Sequence, residues 1–590
     1  MTPEDAEKMS EQENTLEAME VSGKDGHRSV LLALMACFAI DFAISIVILY
    51  LYQVRPFSYY ILMTVLALVL LLEILYAGGT RRRSLAILAQ IIFYTLNLIW
   101  GVSLNYYLFI GRTDTLAHLW WADNLLSQGY VTSVFGLYQA FPLWHILCDS
   151  IYMIAAWQGG LAQVMFVNSG LVYAILGILS MYLLVRKITG DERLTLIATL
   201  FLSFNTTFQF YGMYSIPRSI AMILFILLMV LLVDHVNKTK RWLSYLLSLS
   251  IVVYHTVSSL FLIVILALVY FIQKIFVKSK ENPLVTLGFL VVLVGITAVY
   301  WAVNAANIIW TITESITLSS MGATGLQTGS VNTAPASEVF NYIQYSIVIL
   351  FVLVGAVLLL RLRSVDVRLK IFALLSLVLI PFAYPGPLLL MNTLSSTASI
   401  GRFEEYSFMF MVIISAAGFY LLYKKNSRLI TTVIIVLFVL MAFLSITDDF
   451  VATDNPLLKR PFYTDYLRAS EIDGLNAVAN FTTGYVMTDY VGVRYYQNSP
   501  YEDEMHIMEI NDTTHQILTS AGNDVVLIRD GELDVRPLLV FTADNGYVSE
   551  PEWNALDYYS KGDPAFDSLG NMDLIYNSND MSAYTPGGQP

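Results

Sequence analysis

Long apolar runs separated by short polar breaks dominate the chain from residue 29 to residue 446. A bilayer core of about 30 Å takes about 20 apolar residues per helix. The runs 29–52, 57–78, 84–110, 161–185, 194–210, 217–233, 242–254, 256–273, 283–303, 339–360, 369–385, 405–423 and 429–446 predict 13 spans. Run 242–254 is short and needs help from its flanks. The stretch Phe141 to Trp157 mixes Pro142, His145 and Asp149 into an apolar background. It reads as an amphipathic helix lying at the membrane surface. Beyond residue 446 the pattern changes to a helix-like stretch (Ala469–Asn480) and short apolar strands (Gly484–Thr488, Asp524–Ile528, Pro537–Phe541), which predict a small α/β domain. The last thirty residues, ending Thr585-Pro-Gly-Gly-Gln-Pro590, read as flexible. The expected fold is an all-α polytopic membrane bundle with a small external α/β domain. Its parts are a disordered polar tail at 1–28, the transmembrane domain at 29–446 with a large outer loop at 111–160, and an acidic domain at 447–590.

Basic residues orient this bundle, because Lys and Arg favour cytoplasmic loops. With the N-terminus inside, the inner loops hold 19 of them, from Arg81 to Arg428. The outer ends, apart from the C-terminal domain, hold only Arg55, Arg112, Arg218 and Arg402. Counting 141–157 as a span would put the later clusters on the wrong side. The expected protein is therefore a multi-pass plasma-membrane protein with an extracytoplasmic C-terminal domain. Three N-x-[ST] tripeptides, at Asn205, Asn480 and Asn511, then face outside.

Composition agrees. Of 590 residues, 56% are hydrophobic and 13% charged, and the mean hydropathy is +0.62. Soluble domains carry about 25% charged residues, so a purely cytosolic enzyme is excluded. Cys37 and Cys148 are too few for a disulfide scaffold or a cysteine-based zinc cluster. Net charge is −13, with −17 in residues 447–590 alone. That acidic domain would repel nucleic acid, and it suits the surface of a halophile.

Candidate chemistry gathers on the outer side. Gly111 to Gly129 reads as a helix that Thr113 caps and Gly129 ends. Asp114 and His118 are then four residues apart on one face, suited to a general base and an orienting imidazole. Asp114 would equally serve as a first-turn acid helped by the helix dipole. Arg218 and Arg402 each stand at an outer span start. Snorkelling, an ion pair of Arg402 with Glu404 or Glu405, or a lipid phosphate held by arginine would each account for them. His255, among hydroxyls in Tyr254-His255-Thr256-Val-Ser258-Ser259, sits where two helices turn back. Breaks at membrane depth line cavities. There is no P-loop, dinucleotide-binding, H-E-x-x-H or G-x-S-x-G motif.

Together these residues resemble the GT-C superfamily of membrane glycosyltransferases. In that superfamily the first large outer loop carries a catalytic Asp near its start, as Gly-x-Asp-x-x-x-His or a relative, followed by a surface helix. Gly111 to Gly129 and Phe141 to Trp157 look like this, and the Arg218, His255 and Arg402-Phe-Glu-Glu-Tyr segments look like outer-edge elements. The resemblance implies a sugar donor on a polyprenyl or dolichyl phosphate, and a glycan or glycoprotein acceptor. It implies Asp114 as base and an inverting displacement. It gives the carrier phosphate to Arg402, with Arg218 or His255, and makes Glu404, Glu405 and Asp123 supports for the acceptor. The W-W-D-Y-G motif of oligosaccharyltransferases is absent. Asp123 lies about 13 Å from Asp114 along a helix, so no second acid adjoins the base for a divalent metal. The expectation is a monosaccharide transferase without a metal or other cofactor; an archaeal dolichyl-phosphate-mannose mannosyltransferase of S-layer glycosylation fits. A flippase for lipid-linked sugars would need a polar path between leaflets. A non-catalytic assembly protein would leave Asp114, His118 and Arg402 apart.

Overall fold

The computed structural model describes residues 29–52, 54–76, 81–105, 108–109, 114–155, 164, 167–234, 238–277, 283–306, 335–383, 403–448, 451–452, 454–455, 466–497, 499–519, 524–543 and 556–586. The membrane part runs α1 (Ser29–Leu51), α2 (Phe57–Tyr76), α3 (Arg81–Asn105), β1 (Leu108–Phe109), α4 (Asp114–Gln128), α5 (Leu143–Ala155) and α6 (Val167–Thr189). It continues with α7 (Glu192–Ser203), α8 (Thr206–Met213), α9 (Pro217–Leu232), α10 (Lys238–Tyr254), α11 (Ser258–Phe276) and α12 (Leu287–Asn304). It ends with α13 (Pro335–Arg361), α14 (Val367–Ala383), α15 (Glu404–Tyr423) and α16 (Arg428–Ile446).

Among the described residues, nine helices are long and apolar enough to cross a membrane. These are α1, α2, α3, α6, α11, α12, α13, α15 and α16. Of the 13 expected spans, α9, α10 and α14 hold only 16, 17 and 17 residues. The expected span 194–210 is two helices, α7 and α8. They part at Asn205, whose side chain accepts the Phe208 N–H at 3.0 Å and starts a new helix. Apolar residues continue on both sides of this cap, so hydropathy does not reveal the break.

Helix α15 forms the centre of the bundle, buried from Glu405 to Tyr420. It meets α13 through two facing glycines. A Cβ on Gly418 would strike the Phe351 carbonyl, and one on Gly355 would strike that of Ile414. Close backbone approach of this kind lets membrane helices gain dispersion contacts where lipid offers no hydrophobic drive.

The C-terminal part begins with β2 (Tyr466–Leu467), α17 (Ala469–Phe481), β3 (Val486–Thr488) and α18 (Tyr490–Tyr496). Strands β4 (Met505–Ile507), β5 (Glu509–Asn511), β6 (Val525–Ile528), β7 (Leu538–Ala543), β8 (Leu556–Tyr559), β9 (Met572–Asn577) and β10 (Ser582–Pro586) follow. A mixed sheet of order β4-β3-β6-β10-β9 lies beside a three-stranded one, β5-β7-β8. The expected small α/β domain is there, with the helix and the three strands near their expected places. The flexible reading of the last thirty residues is overturned as far as Pro586. β10 pairs antiparallel with both β6 and β9, with Ala583 opposite Leu527. Its sequence is too short and polar to signal a strand; the ready-made edge of β6 recruits it.

Among the described residues, two of the contacts that fasten the C-terminal part to the bundle are specific pairings. Arg55, 3% exposed, donates from Nε to Asp454 Oδ2 at 2.9 Å and from Nη2 to Oδ1 at 2.6 Å, and Tyr60 Oη adds a bond at 3.1 Å. The second is the antiparallel pair β1–β2, with Leu108 opposite Leu467. It grips the chain just before Asp114.

Candidate functional site

Helix α4 begins at Asp114 and ends at Gly129, whose φ of +76° stops it as the sequence predicts. Asp114 is exposed, and its Oδ2 accepts a hydrogen bond from Tyr214 Oη at 2.7 Å. Tyr214 is buried between α8 and α9, its ring against Phe210 and Tyr211. Tyr211 Oη donates to Glu405 Oε1 at 2.6 Å, and Arg218 Nη1 donates to the same oxygen at 2.9 Å. The Arg218 guanidinium also lies 5.2 Å over the Tyr211 ring. Thus Asp114 and Arg218, about 100 positions apart, share one tyrosine-lined cluster. Arg218 does not snorkel; Glu405 neutralises it inside the fold. Glu404 faces elsewhere, accepting from Thr207 Oγ1 at 2.7 Å.

The histidines form a second arc. His118 is buried, and its Nδ1 lies 3.1 Å from His145 Nε2 on α5. Tyr138 bridges onward, its ring centroid 4.7 Å from His118 and 6.5 Å from His255. His255 Nδ1 bonds Ser258 Oγ at 2.7 Å, and Ser258 in turn bonds Tyr406. Burial, then the charges of His145, His255 and Arg218, push the His118 pKa far below its usual value. Burial likewise takes His145 down to about 3. Both rings are therefore neutral at physiological pH. The bonds of Asp114 and His118 run apart, so Tyr214, not His118, orients the carboxylate.

Asp123 is exposed, and its charge acts on Asp149 of α5 rather than at Asp114. Asp149 is 6% exposed, and neither carboxylate oxygen has a hydrogen-bond partner. Burial, then Asp123, raises its pKa to about 7. Among the described residues, other buried polar atoms also lack partners, on Arg218 itself (Nε) and on sequence neighbours of the site residues: Thr115 Oγ1, Ser215 Oγ and Ser259 Oγ. An unmet buried polar atom costs about 1–3 kcal/mol. Several together mark a place suited to a polar ligand. Among the described residues, no three His, Cys, Asp or Glu side chains converge as metal ligands.

Arg112, Arg402 and the loop 307–334 lie outside the described residues. Tyr211 and Tyr214 were not foreseen from the sequence, and His145, Asp149 and Tyr406 were given no role of their own there. The available signal was the aromatic, Pro-terminated run Phe208 to Pro217, hidden because 194–210 reads as one span.

No family model matches the sequence, and no curated protein matches it. Solved structures do. The apo oligosaccharyltransferase of Archaeoglobus fulgidus matches at 12% identity and a TM-score of 0.47, over 73% of this chain and 65% of that one. The oligosaccharyltransferase AglB of the same organism, in complex with an inhibitory peptide and a dolichol-phosphate, matches at 12% identity and a TM-score of 0.48, over 76% and 70%. The chain spans just under two thirds of the first structure's length. It is similar to these archaeal oligosaccharyltransferases over about three quarters of its own length.

Proposed function

We propose that this protein is a membrane glycosyltransferase of the GT-C type. It takes a monosaccharide from a polyprenyl or dolichyl phosphate and passes it to a hydroxyl of a glycan or glycoprotein at the outer membrane face. The observation that carries this reading is the convergence of Asp114 and Arg218 through Tyr214, Tyr211 and Glu405, with Arg218 Nε buried and without a hydrogen-bond partner.

The chemistry follows from the roles. The Asp114 carboxylate, aimed by Tyr214, takes the proton of the acceptor hydroxyl. The acceptor oxygen attacks the anomeric carbon from the face opposite the carrier, and the bond from that carbon to the phosphate oxygen breaks. The electron pair leaves on the phosphate, so configuration inverts. Arg218 keeps its Nε–H unbonded, and a fixed cation at the developing charge lowers the barrier. His255 and Ser258 supply neutral polar contacts at the rim, and Arg402 is the second cation of the proposal. The proposed transfer uses no metal: Glu405, the further acid of this cluster, is engaged by Arg218 and Tyr211. Mannose is the sugar proposed for the first trial.

The test is a transfer assay with purified protein, short-chain dolichyl-phosphate mannose and a panel of glycan acceptors. Asp114→Asn should lose at least about a thousandfold in turnover and still bind donor. Full turnover in that variant overturns the mechanism.

A further inference from the structure

A second site lies at the other end of the bundle. Helix α9 starts at Pro217, next to Arg218, and its 16 residues carry it about 24 Å to Leu232. Helix α11 starts at Ser258 and runs about 28 Å to Phe276. Where these ends meet the turn between α13 and α14, the structure leaves a cavity of about 460 Å³. Its walls include the apolar side chains of Val277, Leu284 and Ile371, together with Asp234, Arg363, Ser364, Asp366 and Arg368.

The charges are unequally committed. Arg368 is held bidentately by Asp366, Nε to Oδ1 at 2.9 Å and Nη2 to Oδ2 at 2.6 Å, and Nη1 reaches the Val233 carbonyl at 3.3 Å. Asp234 is neutralised by Lys240 and by Lys187. Both acids of the cavity are thus answered by other cations. Arg363, by contrast, makes no hydrogen bond or ion pair among the described residues. A hydroxyl, Ser364, adjoins it. A free guanidinium and a hydroxyl above apolar walls, at the end of membrane helices, suit an anion with an apolar attachment. Basic pockets between helices at the membrane surface hold lipid headgroups in this way.

We propose that this cavity binds the phosphodiester headgroup of an anionic membrane lipid, with Arg363 as the phosphate ligand and Ser364 as a second donor. A volume of about 460 Å³ admits a phosphoglycerol headgroup while the chains stay in the bilayer. The site is remote from Asp114, so it stands whether or not the glycosyltransferase reading does.

Native mass spectrometry of the full-length protein in neutral detergent tests it, with phosphatidylglycerol, phosphatidylcholine and glycerol 1-phosphate added in turn. Phosphatidylglycerol should bind, and Arg363→Gln should weaken it about tenfold, in line with losing one charge-assisted contact. Thermal unfolding should follow, with a lipid-induced rise in Tm that the variant loses. Arg363 is exposed, so the variant should fold normally. Equal binding of phosphatidylglycerol by wild type and variant overturns the proposal, as does equal binding of phosphatidylcholine. Glycerol 1-phosphate binding as tightly as the lipid overturns the lipid source and points to a soluble phosphate ester.

Discussion

Replacing Tyr214 with Phe removes one hydrogen bond to the proposed base and little else. The ring stays against Phe210 and Tyr211, and only the 2.7 Å bond from Oη to Asp114 is lost. Hydrogen bonds to charged groups contribute about 1.5–3 kcal/mol. Asp114 is exposed, so water can partly replace the phenol, and the low end of that range applies. About 1.4 kcal/mol of lost aim corresponds to about tenfold in turnover. The assay compares kcat and donor KM for wild type, Tyr214→Phe, Asp114→Asn and the double variant. Turnover should fall about tenfold with donor KM unchanged, and the added substitution should have little effect once Asp114 is gone. Tyr211→Phe is the contrast, since it touches Glu405 and should act on donor binding. The reasoning fails if Tyr214→Phe turns over within twofold of wild type, or if its loss is undiminished in the Asp114→Asn background.

Three other outcomes follow from the same geometry. Burial raises the Asp149 pKa to about 7, above its unfolded value, so its folded form holds a proton that the unfolded chain gives up. Its contribution to stability is therefore fully present below about pH 4 and is lost as pH rises towards 7. Asp149→Asn should raise Tm at pH 8 and leave it unchanged at pH 4; an equal gain at both would refute this. Gly418→Ala puts a methyl into the Phe351 carbonyl and should destabilise by about 1–3 kcal/mol, read as a lower Tm in detergent. Gly295→Ala, with nothing within 4 Å, is the neutral control. Leu467→Pro breaks the β1–β2 pair, because proline cannot donate to a ladder. Amide exchange at Leu108 and Phe109 should rise and transfer should fall; unchanged exchange would show that β2 does not hold the Asp114 loop.

Much of the scaffold was legible because a bilayer imposes length and apolarity on each span. The α4 helix was legible too, since a first-turn acid and a left-handed glycine end are local signals. The weak points were places where a local signal ran out. Run 194–210 hid the Asn205 break behind continuous apolar residues, and with it Tyr211 and Tyr214. β10 is a strand only because β6 offers it an edge. Asp114 and His118 share a helix face in spacing, yet His118 turns inward to His145 while Asp114 meets Tyr214. Helical periodicity says which residues neighbour one another, not which neighbouring element each side chain finds.

By itself the sequence determined that this chain is a membrane bundle with an acidic C-terminal domain, and that a helix starts near Asp114. Those properties depend on hydropathy, charge and capping within a few residues. Only the tertiary structure decided that Arg218 is held by Glu405, that Tyr214 holds Asp114, and that Arg363 stands unpaired among the described residues at a cavity far from both. Such pairings join helices about 100 to 200 positions apart along the chain. They depend on how the helices cross, and no local pattern of residues encodes that angle.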